Sequence, residues 1–577
     1  MKYIKKYILL LTAALILATC VSATPRQTSK PYTIMIYMNG SDLESDFGAA
    51  TTDLIEILES GLNSRNANVI ILTGGTKRWQ NAVIPANECI IWEAADGWLN
   101  EVTSMGKVNM GNPSTLRDFI NFGLENYPAE RYGLILWDHG GGSIAGFGHD
   151  EKFADSSLTL PDMQLAFEES GLRENKLEFL GFDACLMATV EMAVIAADYA
   201  HVLIASEDLE PGDGWDYVFL SALNQNPRMD GFTLGKVIVD TFMDFYGPDS
   251  DEILSLSVVD LANVHPVMVE MGRLMAKGSG SIKSAENPNF KDLAVRRGIT
   301  KTFGEGSPRD NYADMVDIGD MALQLIDLFP YDAAAVLRAL DRCVFYNRHN
   351  SDVEIYGLST YYIYGGKSEG IDSLRVYSDL DMDRDYTEFL HHFFNSLVNK
   401  HEQQGQTTHV RSELVLWQPI AQNRYRMAGL LQTSDPAEDL LWPKLNGQPA
   451  TLYPVAQTNR TRFYAVPAQV NGREGDIIIA FNRRNPQGQI RGVRHLDGHV
   501  IQKGHDPIEP GDKIALYALE WDFDKDTIEH NWYKGEAFTI SDGIHLTWDT
   551  APEGHKFGYR FTDLINDIEY TMPFTTN

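Results

Sequence analysis

Residues 134–142 of this chain read LILWDHGGG, an apolar run that ends abruptly at a histidine followed by three glycines. The run from Tyr132 to Trp137 is almost continuously apolar and short, which is typical of a strand buried on both faces of a parallel sheet. In open parallel sheets, ligands bind just beyond the carboxyl ends of the strands. The pattern therefore predicts that His139 lies at such an edge, held by the scaffold and open to a substrate.

A second predicted strand ends in the same way at residues 177–185, which read LEFLGFDAC. A helix is expected from Met187 to Ala197, directly after Cys185, and a thiol at a helix N-terminus is favoured as thiolate by the helix dipole. A right-handed crossover through one helix makes this strand a neighbour of the preceding one. The sequence thus predicts a His139/Cys185 pair in one cleft, a nucleophile with its general base or acid.

Short apolar runs alternate with helical periodicity over residues 32–400. This alternation predicts an α/β domain with a mostly parallel sheet flanked by helices, one of which is expected from Met321 to Asn347. Residues 401–408 are polar without periodicity and are interpreted as a linker. Residues 409–577 carry short alternating runs between turn residues, which is typical of an all-β, sandwich-like domain.

The first 23 residues have the organisation of a signal peptide, with three early lysines before an apolar run from Ile8 to Ala18. Two processing routes fit this segment: cleavage after Ala23, or a lipoprotein-type signal in which Cys20 takes the lipid. Both predict an exported protein that is secreted, periplasmic or lipid-anchored at the cell surface. No later segment approaches eighteen consecutive apolar residues, so no transmembrane span is expected.

Net charge narrows the classes of binding partner, and cysteine content limits how many thiols can be paired. A formal net charge of −32 argues against binding to nucleic acid or anionic membranes, which carry the same sign of charge. The same charge mildly favours cationic substrates, although it also keeps an exported protein soluble. Without Cys20 the chain has three cysteines, Cys89, Cys185 and Cys343, so at least one thiol is expected to be free.

Residues 32–400 resemble the clostripain family of cysteine peptidases, which shares a caspase-like sheet and a His/Cys dyad with caspases, legumains and gingipains. The resemblance rests on four motifs in the family's order: YTIMIYMNGSDLE (32–44), LILWDHGGG (134–142), FDACLMATVEMA (182–193) and ASEDLEPGDGWDY (205–217). It implies a peptidase that cuts protein or peptide substrates through a thioester acyl-enzyme.

The resemblance also implies roles for individual residues. His139 would be the base or acid, Cys185 the nucleophile, and the backbone N–H groups of Gly140 and Cys185 the oxyanion hole. Asp183 and Asp213 match acidic positions of a primary (S1) pocket for Arg or Lys, and a buried carboxylate pairs well with a guanidinium. Alternatively, Asp183 caps the following helix and Asp213 serves its turn-rich loop.

Members of this family are typically made as precursors and cut between the histidine and cysteine strands. That interval contains the polar run GHDEKF at residues 148–153, in which Lys152 is the candidate for self-cleavage.

Two other function classes are alternatives to a peptidase. HGGG also occurs as the oxyanion motif of some esterases, and residues 366–370 (GKSEG) formally match GxSxG. The charged residues around that serine, and its separation from His139, argue against a serine esterase. A catalytically silent domain with a β region acting as a binding module is the other alternative, and the complete set of His139, Gly140 and Cys185 counts against it.

No cofactor is expected from the sequence. Alternating aspartates at 379–385 and 522–526 lack the Gly and Glu that a calcium EF-hand loop requires. There is no zinc, Rossmann or P-loop motif. Some members of the family depend on calcium, but no residues of this chain place such a site.

Overall fold

The computed structural model describes residues 29–154, 156–282, 289–308, 313–364, 370–398, 409–432, 441–495, 502–524, 531–563 and 568–575. Three features singled out in the sequence lie outside the described residues. They are the signal segment with Cys20, the linker at 401–408, and most of the GKSEG run, including its serine.

The first part of the chain alternates strands and helices. Its strands are β1 (Lys30–Asn39), β2 (Ala67–Gly74), β3 (Cys89–Ala95), β4 (Trp98–Gly106), β5 (Ala129–Trp137), β6 (Phe147–Asp150), β7 (Ser156–Leu158), β8 (Leu177–Asp183), β9 (Ala200–Ala205), β10 (Ser255–Asp260), β11 (Thr302–Phe303), β12 (Met315–Asp317), β13 (Val344–His349) and β14 (Ser359–Tyr361). Its helices are α1 (Ser41–Ser45), α2 (Ala49–Glu59), α3 (Pro113–Asn126), α4 (Gly142–Ala145), α5 (Leu160–Glu168), α6 (Val190–Ala196), α7 (Gly231–Tyr246), α8 (Val264–Ile282), α9 (Asn289–Ile299), α10 (Ile318–Leu325), α11 (Pro330–Cys343), α12 (Gly370–Asp379) and α13 (Arg384–Val398), with 3₁₀ turns at Tyr217–Asn224 and Leu261–Asn263.

A nine-stranded sheet organises this region, with the strand order β13-β10-β9-β8-β5-β1-β2-β3-β4 among the described residues. The five central strands, β9, β8, β5, β1 and β2, are parallel. Antiparallel strands complete both edges. Trp137 of β5 lies opposite Met38 of β1 and Asp183 of β8, so three neighbouring strands end at the same level. The loops that follow them therefore meet at one edge of the sheet.

The parallel strands are apolar at almost every position because both faces of the sheet are covered. Met35 and Tyr37 of β1 pack into one hydrophobic cluster with residues of α3, α5, α6 and α8. Ile34 and Ile36 point to the other face and pack with residues of α2 and α7. The near-continuous apolar runs of the sequence follow directly from burial on two sides.

The prediction of one helix from Met321 to Asn347 was wrong. Pro330 begins a separate helix, α11, which ends at Cys343, and Val344–His349 forms β13, antiparallel to β10 at the edge of the sheet. Pairing with an open strand edge satisfies the backbone N–H and C=O groups of this segment, and local periodicity does not report that possibility.

The described elements from His409 onward are all strands. They are β15 (His409–Ala421), β16 (Arg424–Gln432), β17 (Leu441–Leu445), β18 (Gln448–Pro449), β19 (Tyr453–Gln457), β20 (Arg462–Val470), β21 (Arg473–Phe481), β22 (Gln489–His495), β23 (Lys513–Asp522), β24 (Asn531–Lys534), β25 (Phe538–Thr539), β26 (Leu546–Thr550), β27 (Lys556–Asp563) and β28 (Ile568–Tyr570). They form an antiparallel sheet of eleven strands and one of three in the described part of the chain. We call this part of the chain the β region.

The predicted fold class is confirmed: a sheet with a parallel core flanked by helices, followed by antiparallel all-β sheets. Within the described ranges, no helix is both long and apolar enough to cross a membrane.

Candidate active site

The loops that follow β5 and β8 lie against each other. The Asp138 N–H donates to the Asp183 carbonyl at 3.4 Å, which extends the parallel pairing one step beyond the strands. At Gly140 a Cβ atom would lie 1.9 Å from the Cys185 carbonyl oxygen. Only glycine permits this approach. The two strand ends predicted to share a cleft are thus in direct backbone contact.

His139 is almost fully buried and held by hydrogen bonds to both ring nitrogens. Nε2 lies 2.8 Å from Asp42 Oδ1, and Nδ1 accepts the backbone N–H of Lys503 at 2.7 Å. A carboxylate on one side and an N–H donor on the other assign the proton to Nε2 and the lone pair to Nδ1. The His149 ring stacks on His139, with centroids 5.3 Å apart.

Asp42 is the orienting carboxylate of this imidazole, and it was not among the site residues predicted from the sequence. Burial alone would raise the pKa of Asp42, but the facing imidazoles of His139 and His149 hold that pKa below its usual range. Its position carried a usable signal, because Asp42 follows the end of β1 just as His139 follows the end of the adjacent β5. Carboxylate–imidazole pairs of this kind fix the tautomer and orientation of a catalytic histidine.

Cys185 is fully buried, and its Sγ accepts the backbone N–H of Glu210 at 3.2 Å. The helix expected directly after it does not begin there. Leu186 adopts a left-handed turn conformation with φ 63°, and α6 begins only at Val190, capped by the Thr189 side chain. The helix-dipole argument for a thiolate was therefore wrong, and burial instead raises the pKa of Cys185 to about 12.

Asp183 forms the floor of a buried pocket beside Cys185. Its Oδ2 accepts the Tyr217 hydroxyl at 3.1 Å and the Trp215 backbone N–H at 3.3 Å. Because Thr189 caps α6, the alternative role of Asp183 as a helix cap does not apply. A second carboxylate, that of Glu210, has no exposed side-chain area and also faces the pocket.

The pocket contains the ammonium group of Lys503, which comes from the β region. Lys503 Nζ forms an ion pair with Asp183 Oδ1 and lies 3.5 Å from Glu210 Oε2. The side chains of both Lys503 and Asp183 are 0% exposed. Burial alone would lower the pKa of Lys503, but the two carboxylates raise that pKa above its usual value. The pocket is thus built to hold a positive charge away from water.

Gly214 completes the pocket wall. It has φ 62°, and a Cβ there would lie 2.5 Å from Asp183 Oδ1 and 2.6 Å from Lys503 Nζ. Any other residue would fill the space that the ammonium occupies. An aromatic ring also lies near the ammonium, since Lys503 Nζ is 5.8 Å from the ring centroid of Trp137.

Comparison with known proteins identifies the family of this chain. The model of the clostripain family matches residues 36–400. The chain belongs to the clostripain family. Clostripain from Hathewaya histolytica is 26% identical over 226 residues, which cover 34% of this chain and 42% of that protein. The match therefore spans less than half of this curated relative.

Solved structures of C11 cysteine proteases are also similar. One is an inactive zymogen from Parabacteroides distasonis, with 20% identity and a TM-score of 0.48, covering 62% of this chain and 99% of that one. Another is a secreted protease from Bacteroides thetaiotaomicron in complex with an irreversible peptide inhibitor. It has 16% identity and a TM-score of 0.46, and the match covers 61% of this chain and 99% of that one.

The resemblance to the clostripain family assigned two aspartates to the substrate pocket. The structure places these two residues in different surroundings. Asp183 contacts the buried ammonium, whereas Asp213 is exposed in the loop before Gly214. Glu210, which was not among the predicted site residues, is the second carboxylate near Lys503 Nζ. Its position in the motif EPGDG gave no local signal, because glutamate is common in exposed loops. The pocket role of Asp213 stays a prediction.

Lys152, the candidate for self-cleavage, lies in the turn between β6 and β7. Its Nζ donates to the Ala86 carbonyl at 2.6 Å, and its backbone N–H donates to Asp150 Oδ1 at 2.9 Å. In this structure the side chain is therefore held outside the Asp183 pocket, which Lys503 fills.

Among the described residues, one group places three metal-ligand atoms within 4.8 Å of one another: Asp42, His139 and His149. The Nε2–H to carboxylate hydrogen bond of His139 already accounts for this closeness. The group coincides with the candidate dyad and carries no separate assignment.

Proposed function

We propose that this protein is an exported cysteine endopeptidase that cleaves after basic residues, Arg or Lys. The observation that carries the proposal is a solvent-shielded carboxylate pocket beside Cys185 that holds a lysine ammonium. Family membership supports a cysteine peptidase, and the contact between the His139 and Cys185 loops supports the dyad.

In the proposed reaction, the Cys185 Sγ attacks the carbonyl carbon of the residue whose side chain fills the pocket. His139 Nδ1 takes the thiol proton and returns it to the leaving nitrogen as the C–N bond breaks, which leaves a thioester. Water then hydrolyses the thioester with the same imidazole as base. The N–H groups of Gly140 and Cys185 are the proposed donors to the oxyanion.

Asp183 and Glu210 give the pocket its selectivity because both are shielded from water. A neutral side chain would leave the buried Asp183 carboxylate without its counter-charge, and breaking a buried ion pair costs about 3–5 kcal/mol. Selection of basic residues therefore comes as much from the penalty on neutral ones as from the attraction of a cation.

Replacing Asp183 with Asn should reduce selection of basic P1 residues by about 100-fold, since one unit of pocket charge is worth roughly 3 kcal/mol here. The measurement is the ratio of kcat/KM for Arg- and norleucine-aminomethylcoumarin peptides, which does not depend on the fraction of active enzyme. Asp213→Asn should change the ratio less, because that side chain is exposed. An unchanged ratio in Asp183→Asn would contradict the pocket assignment.

A positional-scanning library at P1 tests the activity itself. Turnover confined to Arg and Lys, and absent in Cys185→Ala, is expected. Cys185-dependent cleavage after apolar or acidic residues would overturn the proposed specificity, and the same profile ranks Arg against Lys.

Self-cleavage after Lys152 is part of the proposal. The purified wild-type protein should yield a fragment beginning at Phe153, and Cys185→Ala should remain intact, as read by N-terminal sequencing. A Phe153 terminus in both preparations would assign the cut to another protease.

Export is proposed from residues 1–23, and lipid attachment at Cys20 is the alternative to secretion. Mass spectrometry of the mature N-terminus distinguishes the two. No cofactor is proposed for the reaction, and no calcium site is assigned.

A further inference from the structure

The lysine in the pocket belongs to the same chain but lies 320 residues from Asp183 in sequence. It is part of a segment, residues 502–505, between β22 and β23 of the β region. We call residues 502–505 the occluding segment. Its Lys503 contributes both the ammonium in the pocket and the N–H bonded to His139 Nδ1.

We infer that the β region is a built-in inhibitor of the peptidase, in which the occluding segment fills the substrate cleft with Lys503 as a non-cleavable occupant of the specificity pocket. This inference rests on the proposed function, because it takes the Asp183 pocket as the site that selects basic substrates.

The hydrogen bond to His139 explains why Lys503 is held and not cut. Acyl transfer to Cys185 would break the bond between the Lys503 carbonyl and the Gly504 nitrogen, and that nitrogen must receive a proton from the imidazole. In the structure, His139 Nδ1 instead accepts the N–H of Lys503 itself, one residue too early. The lone pair needed for catalysis is occupied by a group that is not the leaving group.

The cleft is closed at all three points that the reaction needs. The pocket is filled, and the His139 lone pair accepts a hydrogen bond. Cys185 is fully buried, and its Sγ accepts a hydrogen bond from the Glu210 backbone N–H. A thiol with a pKa raised by burial is a weak nucleophile near neutral pH. Removing the occluding segment would return water to the thiol and free the imidazole.

Hydrogen bonds connect the occluding segment to β22, the strand before it. Val493 and Asp506 exchange two backbone hydrogen bonds of 2.8 Å, and the His495 N–H donates to Gln502 Oε1 at 2.7 Å. These hydrogen bonds support the segment that presents Lys503, and a preorganised segment loses little entropy on binding.

The segment also fits the pocket loop by backbone contact. A Cβ at Gly504, which has φ 75°, would lie 3.0 Å from the Gly212 Cα. Two glycines therefore face each other where the segment crosses the loop that carries Glu210 and Gly214. A branched residue at position 504 would be strained in its backbone and would push the two chains apart.

A second set of contacts fastens the β region to the peptidase region outside the cleft. The Ser307 backbone N–H donates to Asp476 Oδ2 at 2.8 Å, and the Asn459 N–H donates to the Asn350 carbonyl at 2.9 Å. Arg491 forms an ion pair with Glu252. These contacts keep the occluding segment at a high effective concentration near the cleft, so an external substrate competes poorly with it.

Pocket occupancy can be measured without catalysis in the full-length Cys185→Ala protein. The probe is p-aminobenzamidine, a fluorescent analogue of the arginine side chain. We expect little binding with Lys503 present and at least tenfold tighter binding in Lys503→Ala and in Gly504→Val. Lys513→Ala removes an exposed lysine of the same region and should bind the probe like the parent.

Turnover gives the second readout in the chain with Cys185 intact. Lys503→Ala and Gly504→Val should each raise kcat/KM for Arg-aminomethylcoumarin peptides at least tenfold over wild type and Lys513→Ala. Mass spectrometry should show no fragment beginning at Gly504. The use of two variants separates release of the cleft from a folding defect in one of them.

Equal probe binding and equal turnover in wild type and both variants would overturn the inhibitor assignment while leaving the peptidase proposal standing. A fragment beginning at Gly504 would overturn the non-cleavable geometry. If no form cleaves after Arg or Lys, the proposed function fails, and the probe titration still decides whether Lys503 occupies the pocket.

Discussion

Cys185→Ala should lower kcat/KM for Arg-aminomethylcoumarin peptides to background, a loss of at least about 10⁴-fold. The substitution removes the atom that forms the thioester, and no neighbouring side chain replaces a missing nucleophile in enzymes of this type. The rates are best compared in the wild-type chain and in a Lys503→Ala chain, so that occlusion by the β region does not hide the difference.

The chain offers two matched controls for this substitution. Cys89 and Cys343 are also buried free thiols, so their replacement by Ala removes the same atom from an apolar environment. Both lie away from the cleft, with the Cys343 Sγ near the Asp260 carbonyl and the Cys89 Sγ near the Val108 carbonyl. Both variants should keep their activity. Residual turnover in Cys185→Ala would point to another nucleophile.

His139→Ala should lower kcat/KM by about 10³-fold, within the range expected for losing a general acid–base group. The expected loss is smaller than for Cys185→Ala because water can carry protons inefficiently while the thiol and the proposed oxyanion donors remain. His349→Ala is a suitable control, since His349 lies on the edge strand β13. Activity within tenfold of the parent would show that His139 does not move the proton.

Replacing Asp42 tests the orientation of the His139 imidazole separately from its role in proton transfer. Asp42→Asn keeps the size of the side chain but removes the charge that fixes the Nε2–H tautomer. Its kcat/KM should fall between those of wild type and His139→Ala, with the loss in kcat and not in KM. A purely structural role for Asp42 would instead lower thermal stability without changing the kcat of the folded fraction.

The sequence by itself determined the parallel core and the positions of its two reactive strand ends. Burial on both faces of β5 and β8 forces near-continuous apolar runs, and the abrupt end of each run at His139 and near Cys185 is visible without any long-range information. The pocket role of Asp183 was instead implied by the resemblance to the clostripain family, and the structure places Asp183 as the last residue of β8.

Only the tertiary structure decided what surrounds those residues. Local pattern predicted a helix directly after Cys185, but the chain turns at Leu186 and α6 begins at Val190. The second pocket carboxylate, Glu210, lies in a turn-rich stretch where nothing local distinguishes it from a solvated side chain. The position of Asp42 beside His139 depends on the adjacency of β1 and β5 in the sheet.

Lys503 shows most clearly what only the tertiary structure decided. Its neighbours in sequence give no sign that its ammonium is buried, since lysine is seldom buried unless paired. Its partners are Asp183 and Glu210, hundreds of positions earlier in the chain. Periodicity reports which face of an element is buried, because that depends on residues a few positions apart. A contact between residues hundreds of positions apart depends on how distant parts of the chain pack together, which no local pattern encodes.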